Sequence, residues 1–67
     1  MLHGVVVTFD DVRGDGWLRT EDGREAYFHC VTIADGSRTI AVGSAVRAER
    51  MVGHLGVDEA TQVQVLL

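Results

Sequence analysis

Asp15-Gly16-Trp17-Leu18-Arg19-Thr20-Glu21-Asp22-Gly23-Arg24-Glu25-Ala26-Tyr27-Phe28-His29-Cys30 is the stretch that decides the fold. Residues 16–20 and 25–31 alternate in polarity and are rich in aromatic and β-branched types, as strands are. Between them, residues 21–24 carry Asp22-Gly23, a pair that tolerates the positive φ a tight hairpin needs. Side chains two apart in a strand share a face. The hairpin therefore puts Leu18, Ala26 and Phe28 on one side and Trp17, Tyr27 and His29 on the other. The first set reads as core and the second as an outer face. Burial of all the aromatics is the competing reading, but Trp17 and Phe28 cannot both point inward in this register.

The same pattern continues outward from the hairpin. Residues 2–9 form a β-branched strand, followed by a turn at 10–14. A connection punctuated by Asp35-Gly36 and Gly43 runs from 33 to 43. Residues 45–52 alternate again, 53–56 form a turn, and 60–67 close the chain. Residues 57–66 come nearest to a helix, yet Thr61-Gln62-Val63-Gln64-Val65 alternates and favours a strand. Five short strands at roughly ten-residue spacing predict a small all-β barrel or sandwich. Strict alternation places Val5, Val7 and Phe9 on the outer face with Trp17.

Composition narrows the function. The 67 residues leave room for a single domain, 1–67, and folding near this size buries roughly 60% of the chain's surface. That is too little for the deep cleft of most enzymes. One Cys excludes an internal disulfide framework and predicts an intracellular, cytoplasmic protein. No apolar run approaches the length of a membrane span, and no secretion signal is visible. Six Arg, no Lys and ten acidic residues give a net charge of −4, which argues against generic phosphate binding. Arg forks onto phosphates and stacks on flat rings, so six Arg can still recognise nucleic acid, although surface solubility explains them as readily.

Catalysis and metal binding find little support. His3, His29 and His54 are scattered. His29 and Cys30 are neighbours in an expected strand and so should face opposite ways. Asp11, Asp15 and Gly16 lack the spacing of a calcium loop. No metal site, cofactor or enzymatic activity is expected.

Several segments together resemble the bacterial cold-shock domain: residues 4–10 (GVVVTFD), 13–18 (RGDGWL), 26–29 (AYFH), 35–40 (DGSRTI) and Val42-Gly43. The resemblance covers residues 3 to about 65. A Lys-Gly-Phe-Gly-Phe-Ile motif of that family falls on 13–18, and a Val-Phe-Val-His-Phe motif falls on 26–30. The resemblance implies a five-stranded antiparallel OB-type barrel that binds single-stranded RNA or DNA without a cofactor, as an RNA chaperone or transcription antiterminator. It implies stacking of bases on Phe9, Trp17, Tyr27 and His29, with Arg13, Arg19 and Arg38 on phosphates or bases. Thr8, Asp15, Cys30 and Ser37 stand where the family has aromatics, so about half of the stacking platform is lost. The other reading is a repurposed protein-interaction or homodimerisation module, using Val5, Val7 and the aromatic face as an apolar stripe.

Overall fold

A computed structural model describes residues 1–53 and 57–66. Its strands are β1 (Leu2–Asp10), β2 (Asp15–Thr20), β3 (Glu25–His29), β4 (Ala45–Val52) and β5 (Asp58–Val65), with a 3-10 turn at Cys30–Thr32. They close into a barrel in the order β1-β2-β3-β5-β4, with β4 returning to β1. The architecture is all-β and of OB type. Among the described residues the strand pairings are antiparallel except for a short parallel contact that joins Tyr27 of β3 to Glu59 of β5, continued by an isolated parallel bridge between Ile33 and Val63. Among the described residues no helix is long and apolar enough to cross a membrane. Residues 54–56 of the expected turn, His54 among them, and the terminal Leu67 lie outside the described residues.

The hairpin at residues 20–24 forms as its residue types dictate. Gly23 takes φ 86°, and its N–H donates to the Thr20 carbonyl at 3.0 Å. The Thr20 and Arg24 main chains then close the ladder at 2.7 Å. This sets the register Leu18–Ala26, Trp17–Tyr27 and Gly16–Phe28. Leu18, Ala26 and Phe28 are buried, as their parity requires. With Val6, Ile33, Val46, Ala48, Ala60 and Val63 they make up the core. Three of these nine are Ala, which fits a barrel too narrow to take large side chains from every strand.

Two irregularities break the alternation. Along β1, Val6 opposes Leu18 but Thr8 opposes Trp17, so Val7 is an extra residue in the ladder. Such a bulge inverts the facing of everything beyond it. Phe9 consequently pairs with Gly16 and turns toward the core, where its ring stacks on Phe28 at 5.9 Å and 19°. This corrects the outward placement expected for Phe9. Gly16 makes room for it, since a Cβ there would run into the Thr8 carbonyl oxygen and lie 3.1 Å from the Phe9 ring. On β5, Gln62 adopts φ 53° opposite the irregular stretch of β4 between Arg47 and Glu49. Ala60 and Val63, three apart, are both buried as a result.

The candidate nucleic-acid interface

The registers of β1, β2 and β3 set the outer face out as a grid. Val5, Arg19 and Glu25 form one row, and Thr8, Trp17 and Tyr27 the next. Asp10, Asp15 and His29 form the third. Glu59 of β5 extends the middle row beyond Tyr27. Trp17 and Tyr27 are half-buried, and their rings meet edge-to-face at 5.6 Å and 70°. That geometry suits the ring quadrupoles and fixes both side chains on the surface. The face is open sheet. A cleft of about 330 Å³ lies elsewhere, lined by residues including His3, Thr20 and Arg24.

Of the residues expected to bind, Trp17, Tyr27, His29 and Arg19 lie together on the grid. Phe9 does not, because the bulge carries it inward. Arg13 sits in the turn before β2 and reaches back to the grid through Asp15. Arg38 is exposed on the connection between Ile33 and β4, and no ion pair holds it among the described residues.

Asp15 is the hub of the third row. Its Oδ2 accepts the Tyr27 hydroxyl proton at 2.7 Å. Its Oδ1 accepts from Arg13 Nε at 3.1 Å and Nη2 at 2.9 Å. The Asp15 side chain is only 13% exposed, against 68% for Arg13. The Tyr27 bond, followed by the Arg13 bond, holds the Asp15 carboxyl below its ordinary range. The same bond, with burial, pushes the Tyr27 hydroxyl up. In the first row Arg19 meets Glu25 at 2.8 Å, with both partners about half exposed. Two of the three arginines expected to meet phosphate, Arg13 and Arg19, thus already face carboxylates.

Asp10 has a different task. Its Oδ1 accepts the Val12 and Arg13 amides at 2.9 and 3.1 Å, and so shapes the turn that presents Arg13. His29 ends β3 and caps the 3-10 turn by accepting the Val31 amide on Nδ1 at 3.3 Å. Because the strand stops there, Cys30 does not alternate away from His29, and its Sγ lies 3.8 Å from Nδ1. The opposite facing expected for this pair is therefore corrected. Among the described residues, no three His, Cys, Asp or Glu side chains converge as metal ligands.

Glu59 is the grid residue that sequence reasoning missed. With the turn read at 53–56 and the last strand from Ala60, Glu59 was assigned to neither, and local periodicity carries no sign that β5 lies parallel to β3. Its parity opposite to the buried Ala60 was the available signal.

No protein-family model matches the chain, and a search of curated proteins finds no significant match.

Proposed function

We propose that this barrel binds single-stranded RNA or DNA on the outer face of β1–β3, weakly and with little sequence preference, in the manner of an RNA chaperone or antitermination factor. One observation carries the reading: Trp17 and Tyr27 are directly paired across β2 and β3 on the outer face instead of in the core. Flat rings on an open sheet accept any base, at about 1–3 kcal/mol per stack. Two rings and His29 remain for this role, since Phe9 belongs to the core edge and Thr8 holds the place beside Trp17. With Arg13 and Arg19 engaged by acids, Arg38 is the readiest phosphate contact, and the dependence on salt is shallow.

Trp17 is the single tryptophan, so its emission reports the site directly. An oligo-pyrimidine strand is expected to quench it at low salt, and Tyr27→Ala weakens the titration. Trp17→Ala, followed by anisotropy of a labelled strand, loses most of the binding. Absence of quenching at low salt and high strand concentration overturns the proposal.

A second reading, association through an apolar stripe, draws on Val5, which is 41% exposed at the end of the first row. Val7 is half-buried at the bulge and adds less than alternation suggests. Salt-resistant dimerisation lost on Val5→Glu supports this reading, and a strictly monomeric protein counts against it.

A further inference from the structure

We infer that Asp15, and more weakly Glu25, are built-in stand-ins for nucleic-acid phosphate: they occupy Arg13 and Arg19 in the free protein, and a bound strand must displace them. The inference rests on the nucleic-acid reading above and concerns how that same face is regulated.

A carboxylate and a phosphate offer a guanidinium the same kind of oxygen acceptor, and Arg binds both through its fork of N–H groups. In the free protein the Nε–Nη2 edge of the Arg13 fork is already taken. Two nitrogens of Arg13 bond to Oδ1 of Asp15, at 3.1 and 2.9 Å. Asp15 is not free to swing away, because the Tyr27 hydroxyl holds its second oxygen at 2.7 Å. The carboxylate is 13% exposed and the arginine 68%, so a phosphate that takes the same Nε–Nη2 edge must displace a carboxylate held from behind. Glu25 does the same to Arg19 with less hold. One bond at 2.8 Å joins two half-exposed side chains, a kind of pair that contributes little and yields readily. The two arginines thus differ as phosphate ligands, Arg19 exchanging easily and Arg13 being held back. Tyr27 links this restraint to stacking, since the ring that would receive a base also anchors the competing carboxylate.

The test is Asp15→Asn, which removes the charge and keeps an acceptor for the Tyr27 hydroxyl. Affinity for an oligo-dT strand is read from Trp17 quenching across a salt series. Circular dichroism checks that each variant is folded. Freeing Arg13 tightens binding about fivefold at the lowest salt and adds about 0.7 to the magnitude of the salt slope, the increment for one more phosphate contact on a single strand. Glu25→Gln changes both quantities in the same direction and by less. Glu49→Gln is the control. It removes an exposed charge on β4, away from the β1–β3 face and in no ion pair among the described residues, and it leaves the slope unchanged. In an Arg13→Ala background the Asp15→Asn gain disappears. Binding by the native chain with the same slope in Asp15→Asn overturns this inference alone, as does a gain that survives Arg13→Ala. Failure of both the native chain and Asp15→Asn to bind overturns the nucleic-acid reading and this inference with it. Binding by Asp15→Asn only is the strongest support.

Discussion

The Asp15 carboxylate receives donors from two sides, and both favour its ionised form. The Tyr27 hydroxyl acts most strongly and Arg13 next, so its folded pKa lies below the unfolded value of about 3.9. A group shifted this way stabilises the fold fully at neutral pH and loses that contribution as pH falls through the folded value. The melting temperature should therefore drop below about pH 4, and less steeply in Asp15→Asn. Part of the slope remains in that variant. Asp22 is lowered in the same sense by the Thr20 hydroxyl, and Asp35 by Ser37. Tyr27→Phe removes the largest influence on Asp15 and should raise its pKa toward the ordinary range, as read by NMR titration of the side-chain carboxyl. An unmoved titration would show that the hydroxyl does not hold the charge. The sequence revealed Asp15 as a charge where the resembling family has a ring, and the formal charge alone suggests repulsion. The holding of its charge depends on a diagonal reach from Tyr27 across the hairpin, and on a turn that folds Arg13 back. A count of charges along the chain records neither.

Strand facing was legible wherever the ladder is regular and misleading wherever it is not. The β2–β3 hairpin follows its alternation throughout, so Leu18, Ala26 and Phe28 were identifiable as core and Trp17 and Tyr27 as surface. In β1 a run of three Val gives no hint of which one is extra, and the bulge at Val7 reverses Phe9. In β5 the left-handed Gln62 has the same effect, bringing Ala60 and Val63 to one side. The two placements of Phe9 predict different outcomes. As a platform ring, its loss would weaken strand binding and leave folding intact. As a half-buried ring stacked on Phe28, Phe9→Ala should cost about 2 kcal/mol, less than a fully buried Phe, and lower the urea midpoint accordingly. An unchanged midpoint would return Phe9 to the outer face. Gly16→Ala tests the same element from the other strand. The added methyl meets the β1 backbone and the Phe9 ring, and the overpacking should cost about 1–3 kcal/mol.

At the scale of the molecule, five strands and their spacing were readable from turn residues and polarity, but closure was not. The parallel contact of β3 with β5 joins residues far apart in the chain, and local periodicity cannot specify it. The OB-type arrangement was legible only through the resemblance of whole segments to a known domain. Closure concentrates stability in a few side chains. A chain of 67 residues has a net stability of roughly 3–10 kcal/mol. Phe28 is the largest fully buried side chain, and truncating such a ring to Ala costs about 3–5 kcal/mol. Phe28→Ala should therefore leave a substantial unfolded population at 25 °C, seen as lost β-sheet circular dichroism and as strand binding that falls with the folded fraction. Phe9 and Phe28 share one ring contact, so their losses should not add. Once Phe28 is gone, Phe9 has lost the partner that holds it inward, and Phe9→Ala should cost less than it does in the native chain. Where the double variant is too unstable to measure, Phe28→Leu keeps the domain folded and permits the same cycle. Additive losses would mean that Phe9 is held by Gly16 and the β1 bulge, with the Phe28 ring contributing nothing.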